Sequence, residues 1–109
     1  MDLTISETSS AGKSVLHLAG SLDLVSRDEM LTAGRRVLGD EQYGGVVLNL
    51  SEISFIDSTG IGALVELSRA AEDAEKSFAL QDPSARVRRV LTLTGLDGHW
   101  AEEPSSTPS

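Results

Sequence analysis

The sequence predicts an α/β fold: a single domain on a mixed, mainly parallel sheet of four to five strands, with helices largely on one face. Three observations carry this. First, 109 residues are enough for one compact domain and too few for two. Second, apolar runs of strand length alternate with amphipathic stretches in the order β β α β α β α. Strand–helix–strand units of this length favour right-handed crossovers and parallel pairing. Third, Val46-Val47-Leu48-Asn49-Leu50 is nearly all apolar, as a strand covered on both faces is. The first two strand signals alternate instead, as strands with one wet face do.

The elements follow in order. Leu3-Thr4-Ile5-Ser6 alternates apolar and polar and reads as a short strand. Ser9 to Lys13 is turn material, and Val15 to Ala19 is the second strand of a hairpin. His17 lies in that strand among apolar neighbours and reads as a structural histidine. Gly20 frees the backbone, leaving Asp23 at the strand's end. Ser26-Arg27-Asp28-Glu29 matches a capping box and predicts a helix to about Leu38. Met30, Ala33, Val37 and Leu38 supply its buried stripe, and Gly39 stands as a C′ glycine. Residues 40–44 are a polar connection. Val46 to Leu50 is the central strand, Ser51 to Ser54 a short link, and Phe55-Ile56 packs inward. Thr59 to about Glu75 is helical, with Ile61, Leu64, Val65, Ser68 and Ala71 on one side. Ser77 to Leu80 is a fourth strand. Asp82-Pro83-Ser84 opens a third helix carrying Val87, Val90, Leu91 and Thr94, which Gly95 stops. Its arginines, Arg86, Arg88 and Arg89, read as a solvated face. Beyond Leu96 the signal decays. The expected domain spans 1–101, and 102–109 reads as a disordered tail.

Composition excludes several function classes. The apolar content is 39%, 24% of residues are charged and the net charge is −8. Binding to nucleic acid or to an anionic membrane needs lysine and arginine clusters, so neither partner is expected. With 4% aromatic residues the core must be leucine, valine, isoleucine and alanine. The chain has no cysteine, which removes disulfides, thiolate zinc sites and cysteine nucleophiles. His17 and His99 lack ligand spacing, so no metal and no cofactor is expected. No signal peptide or membrane-length apolar run is read, and the expected address is the cytoplasm.

The chemistry concentrates in Phe55-Ile56-Asp57-Ser58-Thr59-Gly60-Ile61-Gly62, where a strand signal gives way to a helical one. Three readings compete. In the first, Ser58 only caps the helix, a role worth about 1 kcal/mol, and the glycines only allow a tight turn. In the second, Ser58 is a nucleophile. That needs a base and an oriented partner, and only His17 and His99 are available. The stretch is also not Gly-x-Ser-x-Gly. Nor is it a phosphate-cradling loop, because no Gly-Lys-Ser/Thr is present and Asp57 would repel the anion. In the third, Ser58 accepts a phosphoryl group from another protein. This reading uses the exposed position, the room left by the glycines, and the adjacent Asp57, with Asp23 near if both lie at one sheet end.

Gly20-Ser21-Leu22-Asp23, Val47-Leu48-Asn49-Leu50 and the Phe55–Gly62 stretch, in this order and spacing, resemble the STAS-domain anti-sigma factor antagonists of bacteria. Asp82-Pro83, with a helix ending in Thr94-Gly95-Leu96, is also similar to that family. The resemblance covers about Leu3 to Leu96. It implies a non-enzymatic protein that, when unphosphorylated, binds an anti-sigma factor that is also a serine kinase, and so releases a sigma factor. It implies phosphorylation at Ser58 as the off-switch and a PP2C-type phosphatase as the reversal. ATP and magnesium belong to the kinase. Asp23, Asp57, Ser58, Thr59, Gly60, Ile61 and Gly62 are the implied partner-binding residues. The chain departs from the family after Leu96, where no final helix can be read. Two rivals remain from the residues: a constitutive STAS scaffold or complex subunit without phosphoswitching, and a small serine hydrolase.

Overall fold

The computed structural model describes residues 2–104. Eight elements follow one another: β1 (Leu3–Ser10), β2 (Lys13–Leu22), α1 (Arg27–Leu38), β3 (Gly45–Ile56), α2 (Ser58–Asp73), β4 (Ser77–Gln81), α3 (Ala85–Leu93) and β5 (Ala101–Glu103). The strands form one five-stranded sheet in the order β1-β2-β3-β4-β5. β1 and β2 pair antiparallel; every other pair is parallel. This is the mixed, mainly parallel sheet that the sequence predicts.

The hairpin turns at Ala11 and Gly12, both at positive φ. That tight turn lets β1 run to Ser10, four residues past the expected strand end, although residues 6–10 are exposed. β3 is also longer than expected. Ser51 to Ser54 is not a link but part of one 12-residue strand. The cause is visible in the pairing with β2. His17 faces Asn49 while Ala19 faces Glu52, and Gly20 faces Ile53 while Ser21 faces Phe55. β3 therefore carries an extra residue at each of two bulges. Each bulge resets the alternation of inward and outward side chains, so the pattern Leu50-Ser51-Glu52-Ile53 loses the period of a strand.

One side of the sheet holds the main core. Leu16, Leu18, Leu22, Val46, Leu48, Leu50 and Leu80 pack with Met30, Val37, Leu64 and Leu67, all nearly inaccessible. α3 adds Val87 and Leu91 to the same cluster, so helices gather on one face. α1 crosses α2 closely at Gly34, where a Cβ would lie 2.6 Å from the Leu67 methyl carbons. On the other face Val15, Val47 and Ala79 form a small separate cluster. Beside it the paired positions Ser6, His17, Asn49, Gln81 and Glu103 make a polar row across all five strands. Asn49 Nδ2 donates to Gln81 Oε1 at 2.8 Å within it.

The end of the chain corrects the sequence reading in one place. Glu102 and Glu103 were expected in a disordered tail that began at 102; they instead complete β5 beside β4. Side chains on both faces hold this short strand. Glu102 takes both guanidinium nitrogens of Arg88 on α3, at 2.9 and 3.2 Å. Glu103 pairs with Lys13. Trp100 meets Phe78 edge to face at 5.8 Å. Residues 105–109 of the expected tail lie outside the described residues. Among the described residues no helix is long and apolar enough to cross a membrane.

Candidate functional site

Two loops meet where β2 and β3 end. In parallel sheets with helical crossovers the strands' carboxyl ends are where sites are built. β2 ends at Leu22, and the chain turns through Asp23, Leu24, Val25 and Ser26 before α1. The capping box expected here does not form. Ser26 occupies the N-cap position without a side-chain cap bond. Its buried hydroxyl instead donates to the Ser21 carbonyl at 2.7 Å and accepts from the Asp23 amide at 3.1 Å. Asp23 Oδ1 in turn accepts from the amides of Val25 and Ser26, each at 3.1 Å. The loop thus forms an Asx turn locked from behind by a serine. Gly39, expected as a left-handed C′ residue, closes α1 at φ −85 instead.

The second loop carries Ser58. Asp57, in extended conformation, is the N-cap of α2, and its carboxylate accepts from the Gly60 amide at 2.9 Å. Ser58 is therefore the first residue of the helix and not its cap. Aspartate and serine are equally good caps, and here Asp57 has the extended backbone that the role demands. The Ser58 hydroxyl is exposed, and no side-chain hydrogen bond of Ser58 is found among the described residues.

Gly60 explains why the two loops touch. A Cβ there would lie 2.3 Å from the Leu22 carbonyl oxygen and 2.9 Å from Ile56 Cγ1. The first turn of α2 sits against the end of β2 so closely that only glycine fits. This contact brings Asp57 and Ser58 next to the Asp23 turn, and the Asp57 amide approaches the Leu22 carbonyl at 3.4 Å.

The residues named from the sequence thus divide by exposure. Ser58 and Gly62 are exposed, and nothing would crowd a Cβ on Gly62. Asp23, Asp57 and Thr59 are half-buried, while Gly60 and Ile61 are buried and hold the turn from within. Leu24 and Val25 were missed. They are 71% and 83% exposed, beside Asp23. No sequence signal marks them, because an apolar pair between two elements could equally be covered by either.

Behind the site, α1 and α2 are joined by Glu66, which pairs with Arg27 at 3.0 Å and Arg35 at 2.6 Å. Neither histidine approaches Ser58. His17 lies five residues before the end of β2, about 16 Å of strand away, and bonds to the Thr8 hydroxyl at 2.9 Å. His99 stands against Trp100 beyond α3. A cleft of about 540 Å³ opens beside the second half of α2, between Arg69, Lys76, Phe78 and Trp100, and Ser58 has no part in it. The geometry offers an exposed serine beside two carboxylates that are engaged in their own turns, with neither histidine at hand.

The family model described as "Mlab, STAS domain" matches residues 5–102. The chain belongs to the STAS domain family. Within it, the chain is similar to the anti-sigma-B factor antagonist of Staphylococcus aureus, at 28% identity over 99 residues and 88% of each chain. A Thermotoga neapolitana protein, provisionally named as an anti-sigma factor antagonist, is 36% identical over 70 residues. That match covers 64% of this chain and 55% of the relative, so the chain aligns with little more than half of that protein's length. Among solved structures, an anti-sigma factor antagonist from Mycobacterium paratuberculosis superposes with a TM-score of 0.82 at 26% identity. It covers 96% of this chain and 88% of its own. The unphosphorylated anti-sigma factor antagonist SpoIIAA shares the fold, with a TM-score of 0.75 at 23% identity over 96% of this chain and 89% of its own.

Proposed function

We propose that this protein is an anti-sigma factor antagonist regulated at Ser58. Unphosphorylated, it binds an anti-sigma factor that is also a serine kinase, and a sigma factor is thereby released. The kinase then transfers the γ-phosphoryl group of its MgATP to Ser58. The serine Oγ–P bond forms, the bond from Pγ to the ADP oxygen breaks, and a base on the kinase takes the hydroxyl proton. Phosphoserine leaves the complex, and a PP2C-type phosphatase restores the hydroxyl by hydrolysis. The protein itself supplies no catalytic group, and its place of action is the cytoplasm.

One observation carries this reading: the Ser58 hydroxyl is exposed at the first position of α2 and is not needed for the cap, because Asp57 performs that role. The serine can be modified without undoing the helix. A phosphate adds about −1.5 to −2 charges at neutral pH. The helix N-terminus would stabilise it by about 0.3–1 kcal/mol, so the fold tolerates the mark. A partner surface packed against the loop does not, because the added charge and bulk stand in that contact. The names of the relatives support an anti-sigma factor as the partner.

Binding measurements with the purified anti-sigma kinases of the source genome test this. Ser58→Ala should bind as the unmodified protein does, and Ser58→Asp should bind more weakly. Equal affinity of the two would contradict the switch. A stable native complex containing no kinase, with no phosphate on Ser58 in cells, would identify a constitutive STAS subunit instead.

A further inference from the structure

We propose that Leu24 and Val25 are the apolar anchor of the partner surface, and that Asp23 serves that contact by holding them in place. The inference rests on the anti-sigma-partner reading above and says which side chains give that contact its affinity.

Single exposed apolar residues are ordinary on protein surfaces. These two differ in three respects. They are adjacent, 71% and 83% exposed, and two of only three large apolar side chains strongly exposed among the described residues. They are not on a loose loop. The Asp23 carboxylate ties the amide of Val25 itself, and the Ser26 hydroxyl anchors the same turn to the Ser21 carbonyl. Ordering an apolar side chain on binding costs less when its backbone is already fixed. Third, the turn follows Leu22 directly, whose carbonyl touches the first turn of α2 at Gly60. A protein that reaches Ser58 therefore also meets Leu24 and Val25.

One oxygen of the Asp23 carboxylate is already occupied. Oδ1 receives the amides of Val25 and Ser26 and lies 3.2 Å from the Ser26 hydroxyl. Its chemistry is that of a turn former. The occupant we assign is the anti-sigma kinase, through an apolar recess rimmed by basic side chains. The rim follows from charge. Glu29 is exposed in the first turn of α1 just beyond the pair, next to Asp28, which pairs with Arg27; Asp57 stands on the neighbouring loop, and the chain carries −8 overall. An apolar centre with a charged rim is the usual anatomy of a specific contact.

The test uses the full chain and the kinase that binds it. Leu24→Ser with Val25→Ser should lower affinity about tenfold or more, as loss of a buried anchor does, with an unchanged melting temperature. Leu93→Ser serves as control. Leu93 is 74% exposed at the end of α3, a helix that runs back from the strands' carboxyl ends. It should bind normally. Asp23→Asn keeps the acceptor oxygen and removes the charge, and should bind nearly as the parent does; Asp23→Ala should lose affinity with the double variant. Undiminished binding by the double variant, or an equal loss with Leu93→Ser, overturns the anchor. A loss with Asp23→Asn equal to that with Asp23→Ala overturns the positioning role. If the parent chain binds no such kinase, the functional reading itself falls and this proposal with it; if the parent binds and the variants bind equally, only this proposal falls.

Discussion

Asp57 and Ser58 divide between them two roles that the sequence analysis weighs for Ser58 alone. Both residues cap helices well, and they are adjacent, so propensity alone cannot choose. The backbone decides: Asp57 is extended and its carboxylate takes the Gly60 amide. Asp57→Ala should therefore cost about 1 kcal/mol of stability, whereas Ser58→Ala should stay within about 0.5 kcal/mol, as surface changes do. Urea denaturation of both variants checks this. A loss of about 1 kcal/mol at Ser58 would restore the serine cap. The two glycines of the motif should also separate. Gly60→Ala forces a Cβ against the Leu22 carbonyl and should destabilise by about 1–3 kcal/mol. Gly62→Ala meets nothing in the free protein and should stabilise the helix by up to about 1 kcal/mol. Its new methyl lies one helical turn from Ser58, so binding of the kinase should weaken while the melting temperature rises. The Ser58 hydroxyl, the neighbouring acid and the close glycine were legible in the sequence as local chemistry. Leu24 and Val25 were not, because an apolar pair between elements gives no sign of whether a neighbour covers it.

Among the elements, the sequence is legible where periodicity is unbroken and obscure where a bulge or a short edge interrupts it. α2 shows its buried face through Ile61, Leu64 and Ala71, as the sequence predicts, while Val65 and Ser68 of the expected stripe are half-buried and Leu67, outside it, is buried. β3 hides its second half behind two bulges. β5 spans three residues, two of them glutamates, and no local preference would place such a segment in a sheet. Cross-face ion pairs and the backbone ladder to β4 place it there. The capping box of α1 failed for a similar reason: the Ser26 hydroxyl found the Ser21 carbonyl, a partner that pattern reading cannot see. The α1–α2 contact makes its own prediction. Gly34→Ala pushes a carbon to 2.6 Å from the Leu67 methyls. Leucine can shift in part, so the cost should be about 1–3 kcal/mol, measured by denaturant unfolding. A neutral result would mean that the helices are not packed this closely.

For the whole molecule, charge sets the response to pH and salt. Glu7 on β1 is the clearest case. The Ser14 hydroxyl donates to it at 2.6 Å, and Arg36 of α1 pairs with it. The hydroxyl bond first, and the arginine second, hold its carboxyl below the ordinary carboxylate range. A carboxyl lowered on folding stabilises the fold fully above its unfolded pKa, and that contribution disappears as pH falls through the folded value. Glu7→Gln should thus be less stable than the parent near about pH 7, and the difference should vanish well below the ordinary carboxylate pKa of about 4.3. Denaturation midpoints across that range would show it. With a net charge of −8, association with a basic partner rim should also slow as salt rises, since exposed charges are screened within about 8 Å at physiological ionic strength.

Regulation of this protein turns on the fate of one hydroxyl. Incubation of the protein with its anti-sigma kinase and MgATP, followed by peptide mass spectrometry and a binding measurement on the product, follows it directly. A single phosphate on Ser58 and release from the kinase are expected. No phosphate on Ser58, or a phosphorylated chain that binds as tightly as the free one, would contradict that regulation.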